Sequence, residues 1–309
     1  MDITLSQAIE GYMIHAEARQ LAPGTMADYT NTFQRFLEFV GDVSIHQISK
    51  RDVERFIISL GHFKNKTQLN YHIGLSALWT WLVDEELVKK NVVRQVRPPK
   101  PEKTAIVPFT EQDLKLMMAS LNRSKAYRRP GQAERSNHGL QNSLRNQAIL
   151  LLLLDTGIRA SELCDLRLQH ADLRNRRVKI FGKGSKERIV PISVKTAKAI
   201  WRYLTTRPDA KSQEPLFASM KDGQFLKRNA LRLLLERLGD RAGVPHVHAH
   251  RFRHTFAIAY LRNNGDAFTL QSILGHSDMT MTRRYLEIAM TDVESRHQIA
   301  SPVANWNIG

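Results

Sequence analysis

The sequence predicts a mainly α-helical protein built as two units, the first wholly helical and the second mixed α+β with a small antiparallel sheet. Three observations carry this. Apolar residues recur at helical spacing over most of the chain. A proline-rich basic segment, Arg97-Pro98-Pro99-Lys100-Pro101, interrupts that periodicity. Only residues 177–192 read as paired strands, on either side of a glycine-rich turn.

At 309 residues the chain is long enough for two domains, and 42% apolar against 25% charged residues suits a core-forming protein. Forty-six Lys and Arg face thirty acids, a net charge of +16 and an isoelectric point near 10.1. Such an excess points to a polyanionic partner, because each basic group near a phosphate releases counterions. An anionic membrane surface competes with nucleic acid for that role. No apolar run approaches the length of a membrane span, and the start, MDITLSQAIE, lacks a charged-then-apolar signal pattern. Nucleic acid is therefore the expected partner. The single cysteine, Cys164, permits neither an internal disulfide nor a thiolate metal cage and fits the cytoplasm.

Residues 1–97 are expected to form the helical unit. Leu5, Ile9 and Met13 begin an amphipathic stretch, which Pro23-Gly24-Thr25 breaks. Tyr29, Phe33, Phe36, Leu37 and Val40 then form an apolar stripe that Gly41 ends. Ser49 and Asp52 have the spacing of a capping box ahead of Val53, Phe56, Ile57 and Leu60. A fourth helix from about Thr67 carries Leu69, Ile73, Leu78, Trp81 and Leu82. Lys64 and Lys66 stand just before it, where they and the helix N-terminus can meet a backbone phosphate, or can simply be a solvated surface.

Residues 98–107 read as an extended linker, which would let two units close around a rod-shaped ligand. The second unit, 108–309, opens with a capping box from Thr110 to Asp113 ahead of Leu114, Met117, Met118 and Leu121. Residues 122–145 are basic and turn-rich, with Arg128 and Arg129 at the centre; this is either a mobile excursion or a phosphate-contacting loop. Ala148–Leu154 is apolar on all sides and so predicts a buried helix. It leads directly to Arg159, whose guanidinium would be pre-oriented by the core to fork toward an anion, or would pair with Glu162.

Val178–Phe181 and Arg188–Ile192 are strand-like, and Gly182-Lys183-Gly184-Ser185-Lys186 supplies the turn, presenting the Lys183 ammonium at its tip. The turn lacks the spacing of a nucleotide-binding P-loop. Helices follow around Ala197, Ile200, Trp201 and Leu204, and again over 230–238. Then comes the stretch from His248 to Tyr285. His250 and Arg253, three apart, share one helix face and could grip a phosphate; Gly275-His276 and Tyr285 follow. The last residues are polar and turn-rich but include Val293, Ile299, Val303, Trp306 and Ile308, so a tail of about 290–309 is expected to dock on this molecule or a neighbour.

Taken together these residues resemble the tyrosine recombinase (phage integrase) family over nearly the whole chain. Thr156–Leu163 looks like the family's first arginine motif, Gly182–Arg188 like its lysine hairpin, and His250–His254 like its His-x-x-Arg box. Leu274–Ser277 looks like the second histidine motif, followed at the usual interval by Tyr285. The resemblance implies a SAM-like core-binding domain at 1–97, a catalytic domain at 108–309 and the tyrosine-recombinase fold. It implies a site-specific DNA recombinase that cuts and rejoins strands through a 3′-phosphotyrosine. Tyr285 would be the nucleophile, Arg159 and Arg253 would hold the phosphate oxygens, and Lys183 would protonate the leaving 5′ oxygen. His250 would serve as general base or acid and His276 would hydrogen-bond the phosphate. Because one phosphoester replaces another, no ATP, metal or other cofactor is expected. The expected partners are double-stranded DNA with paired recombination sites, a homo-tetramer in the synaptic complex (monomer or dimer when free) and a host or accessory factor. Further DNA contacts are expected from Lys64, Lys66, Lys186, Arg188, Arg128 and Arg129.

His250 and His254 also have the i, i+4 spacing of a zinc helix. No Glu lies between them, no thiolate is nearby, and Arg251 and Arg253 would repel a cation, so no metal is expected. Departures from the family bear on subtype. No segment precedes the helical unit, so an arm-binding module is not expected. Leu286-Glu287 follows Tyr285 where the chromosome-dimer-resolving (Xer-like) branch usually has Thr-His, and Phe252 replaces its usual Leu. The basic loop is longer than in compact members. These differences favour an integrase or transposase of a mobile element over Xer-like resolution. A type IB topoisomerase, using the same residues to relax supercoils, is the alternative enzyme. A catalytically idle DNA-binding regulator would require a missing site residue, and none is missing.

Overall fold

The computed structural model describes residues 3–102, 105–121, 138–182, 187–275, 278–289, 297–298 and 301–306. The chain divides into two compact units, Met1–Ala105 and Ile106–Gly309. Each has its own apolar core.

Among its described residues the first unit has four α-helices, α1 (Leu5–Ala18), α2 (Pro23–Val40), α3 (Lys50–Ser59) and α4 (Asn65–Asp84), followed by a short 3-10 turn at Val93–Gln95. Local signals set their ends. Pro23 occupies the first turn of α2, where its missing N–H costs nothing, and Gly41 closes that helix at φ 79°. The Ser49–Asp52 capping box forms, with the Ser49 amide donating to Asp52 Oδ2 at 2.9 Å. The buried faces differ from the expected stripes. In α1 the core face is Leu5, Ala8, Tyr12 and Ala16, with Ile9 and Met13 at its flank. Tyr12 sets this rotation by packing edge-on to Tyr29, Phe33 and Trp81. In α4 Ile73 is exposed, and Gly74 takes the buried position. A Cβ on Gly74 would lie 3.0 Å from Thr32 Cγ2, so close passage of α2 and α4 selects the small residue. Lys64, which caps α4, and Lys66 in its first turn are both exposed. Asn65 donates to the Lys100 carbonyl at 3.0 Å, so the start of the expected linker is held against this unit.

The second unit begins with α5 (Glu111–Leu121), capped by Thr110 and Asp113 as expected. Next come α6 (His138–Thr156), longer than the apolar run alone suggested, and α7 (Ala160–Cys164). The hairpin pairs β2 (Arg177–Phe181) with β3 (Glu187–Pro191), and β1 (Ala171–Asp172), two residues too short to recognise in sequence, adds a third antiparallel strand. Val178, Ile180 and Val190 point into the core, as strand alternation requires. Next is α8 (Val194–Leu204), which buries Tyr203 and leaves Trp201 outside, and then α9 (Arg228–Ala242). Three further helices, α10 (Ala249–Arg262), α11 (Ala267–Leu274) and α12 (Thr280–Ala289), share a small separate core of Ala257, Ile258, Leu261, Leu270, Leu274, Tyr285 and Ala289. That cluster fixes where Tyr285 stands relative to α10. In the tail, Val303 and Trp306 are exposed. Val293, Ile299 and Ile308 lie outside the described residues.

Candidate active site

The site is assembled by backbone turns that only particular residues can make. Gly157, just past α6, has φ +60°, and a Cβ there would sit 2.6 Å from Phe256 Cδ1 and 2.9 Å from Leu274 Cδ2. A side chain is therefore excluded both by conformation and by space. Gly275 ends α11 in the left-handed conformation at φ +64°, and its Cβ would meet Arg188 Nη1 at 3.1 Å.

These two turns present carbonyls to the arginines. Arg253, on α10 and only 2% exposed, donates from Nη1 to the Gly157 carbonyl and from Nη2 to the Leu274 carbonyl, both at 2.9 Å. Arg159, half-exposed at the start of α7, donates from Nη2 to the next carbonyl along, that of Gly275, at 3.3 Å. Two arginines 94 positions apart in sequence are thus moored to consecutive peptide units. Burial, and after it the charge of Arg159, pushes the Arg253 guanidinium down to about 10, still protonated at neutral pH.

Arg159 also donates from Nη1 to Glu162 Oε1 at 2.9 Å, so the pairing with Glu162 forms. Arg188, expected to reach DNA, is instead turned inward. Its guanidinium grips both oxygens of the buried Glu162 and the Ile273 carbonyl, because strand alternation at β3 places it beside α7 and α11. Burial opposes ionisation of Glu162, but hydrogen bonds from Arg188 and the Arg159 amide hold its carboxyl below the usual range.

Tyr285, on α12, is fully buried, and its hydroxyl is 2.8 Å from His254 Nδ1. Burial raises the phenol above its ordinary value, while the charges of Arg253, Arg284 and Arg159 oppose that rise. His254 is pushed down to about 4, first by burial and then by His250, His248 and the neighbouring arginines, so it is neutral. His250, exposed on the same face one turn earlier, has its ring centroid 4.2 Å from that of His254. Burial of its ring, Arg253, His248 and Arg159 lower it too, leaving a neutral imidazole able to accept a proton.

The structure therefore gathers Arg159, Arg253, His250 and Tyr285 around the α10–α12 core and the Gly275 turn. Lys183, His276, Lys186, Arg128 and Arg129 lie outside the described residues. His254 was not expected as the tyrosine's partner; its signal was its position one helical turn beyond His250. Among the described residues no group of His, Cys, Asp or Glu is placed to hold a metal ion, and no helix is long and apolar enough to cross a membrane.

Residues 129–292 match the phage integrase family, and residues 9–89 match the N-terminal SAM-like domain of phage integrases. The tyrosine recombinase XerC of Pelobacter propionicus is 27% identical over 307 residues, covering 97% of each chain. That of Actinobacillus pleuropneumoniae is 29% identical, covering 93% of this chain and 90% of its own. A lambda integrase dimer bound to a COC′ core site shares the fold with a TM-score of 0.73 at 15% identity, over 94% of this chain and 79% of that one. The Tn1549 transposon integrase in complex with transposon right end DNA does so at 0.72 and 19% identity, over 92% and 94%.

Proposed function

The chain belongs to the phage integrase family as a tyrosine-type site-specific recombinase, and from that premise we propose that Tyr285 is its nucleophile and duplex DNA its substrate. The observation that carries this is the mooring of Arg253 and Arg159 to the adjacent Leu274 and Gly275 carbonyls. Tyr285 is packed on the small core shared by α10, α11 and α12, the helix that carries Arg253 among them.

In this reading the phenolic oxygen attacks the scissile phosphorus in line. A phosphotyrosine bond to the 3′ end forms, the bond to the 5′ oxygen breaks, and that oxygen leaves with a proton. Arg159 and Arg253 stabilise the charge that builds on the non-bridging oxygens. His250, kept neutral by its surroundings, takes the phenol's proton, with Lys183 as the acid for the leaving oxygen and His276 as a further phosphate donor. The burial of Tyr285 against His254 means the hydroxyl must leave that partner before attack. The test is adduct formation on a nicked duplex selected for binding from a random pool. Tyr285→Phe is expected to abolish the covalent band while DNA binding persists; a band of undiminished intensity in the variant overturns the assignment.

The exposed Val303 and Trp306 support a tail of about 290–309 that docks on a neighbouring protomer, in a tetramer at synapsis. Truncation after residue 290 should impair pairing of two DNA sites far more than binding to one, measured by gel shift; unimpaired synapsis would remove the tail from that role. Lys64 and Lys66, exposed at the start of α4, remain suited to backbone phosphates. The residues after Tyr285 favour action on a mobile element. The second reading, Xer-like resolution of chromosome dimers, is supported by XerC relatives that align end to end with this chain. DNA selected by the protein separates them, since an element's own ends would bind under the first and a single chromosomal site under the second.

A further inference from the structure

Two arginines compete for one buried carboxylate beside the proposed phosphate site, and only one of them has a part in the chemistry above. Glu162 Oε1 accepts from Arg159 Nη1 and from Arg188 Nη1, both at 2.9 Å. Its Oε2 accepts from the Arg159 amide and from Arg188 Nη2, both at 2.8 Å. The division is unequal. Arg188, with a side chain 13% exposed, takes both oxygens with its fork and also donates from Nε to the Ile273 carbonyl at 2.7 Å. Arg159, 43% exposed, gives the carboxylate a single side-chain bond.

We propose that Arg188 is a positioning residue for DNA cleavage: by occupying Glu162 in bidentate fashion, it keeps Arg159 from being captured there and leaves that guanidinium turned toward the phosphate. The inference rests on the roles given above to Tyr285 and Arg159.

The argument is one of charge and geometry. Two guanidinium groups and one carboxylate sum to a single positive charge, and the exposed member of the trio displays it. Without Arg188 the buried Glu162 would keep Arg159 as its one charged partner, held by a single side-chain bond, and a desolvated carboxylate favours fuller pairing. Arg159 is the cation within reach, and a planar fork meets a carboxylate best with two parallel bonds. Rotation into that arrangement would neutralise Arg159 and withdraw its donors from the scissile phosphate, where such donors act on the transition state. Arg188 also links three parts of the site, since it rises from β3, binds α7 through Glu162 and binds the end of α11 through Ile273. A role as a DNA contact would need the guanidinium outside, and it is not there.

The test uses the full chain and the selected nicked duplex, following adduct rate on denaturing gels and DNA affinity by titration. Arg188→Met is expected to slow adduct formation by roughly tenfold or more, with affinity changed by less than about twofold. Adding Glu162→Gln should return most of that rate, because a neutral amide no longer captures Arg159. A loss confined to affinity, or a double variant no faster than Arg188→Met, overturns the proposal. If Arg188→Met melts below the assay temperature by circular dichroism, Arg188→Lys carries the test. Its ammonium still offsets Glu162, so it should be clearly faster than Arg159→Ala, and a rate equal to that of Arg159→Ala overturns the proposal. A wild-type chain that forms no Tyr285-dependent adduct would instead sink the underlying reading of Tyr285. A normal wild-type adduct confines any failure to Arg188.

Discussion

His254 Nδ1 and the Tyr285 hydroxyl stand 2.8 Å apart, with their ring centroids 5.5 Å apart, so the proposed nucleophile rests against a half-buried, neutral imidazole that has arginines nearby. The contact needs a neutral ring, because a protonated one would be driven apart from Arg253 and Arg284. It ties the readiness of the tyrosine to the packing of α10 on α12.

Acid should therefore weaken this part of the fold. His254 is held down to about 4 from an ordinary value of 6.5, chiefly by burial and then by His250 and His248. Between those values the unfolded chain binds a proton that the native site refuses. The contribution is full above about pH 6.5 and is lost as the pH falls toward 4. His254→Gln should flatten the fall in unfolding free energy between neutral and mildly acidic pH, measured by urea titration. An unchanged slope would show that His254 does not govern it.

The two arginines of the proposed phosphate site should separate in a stability assay. Arg253→Ala leaves the Gly157 and Leu274 carbonyls unpaired in a buried site, at a cost of about 1–3 kcal/mol, and also abolishes cleavage. Arg159→Ala removes an exposed side chain, so the melting temperature should stay close to wild type while adduct formation falls by about 10²–10³-fold. Thermal melts run beside the adduct assay distinguish them. Equal destabilisation by both would contradict their different burial.

Gly157→Ala should be among the most damaging single-methyl changes in the second unit. The added Cβ meets Phe256 and Leu274 below 3.0 Å in a left-handed conformation, and the strain is of order 1–3 kcal/mol before any repacking. It would also shift the carbonyl that holds Arg253. Chemical denaturation measures the first effect and the adduct rate the second. A variant normal in both would mean the turn tolerates a side chain.

Much of this molecule is written in short-range signals that a single chain carries by itself. Both capping boxes, the stop at Gly41 and the strands around the lysine turn could be read directly, because each depends on neighbours a few residues away, while the order of Arg159, Arg253, Gly275 and Tyr285 was legible through the family resemblance. What only tertiary structure decided is which side chains meet. Helical spacing predicted a stripe on α4 but not that Thr32 would demand Gly74 on its inner face. Basic character placed Arg188 with the DNA contacts, whereas the register of β3 turns it onto Glu162. His254 followed a recognisable motif, yet its partner lies 31 positions away and is brought to it by the packing of α10 on α12. Charge and periodicity are properties of a residue and its neighbours, while a hydrogen-bond partner is a property of the folded core, where burial removes water as the alternative.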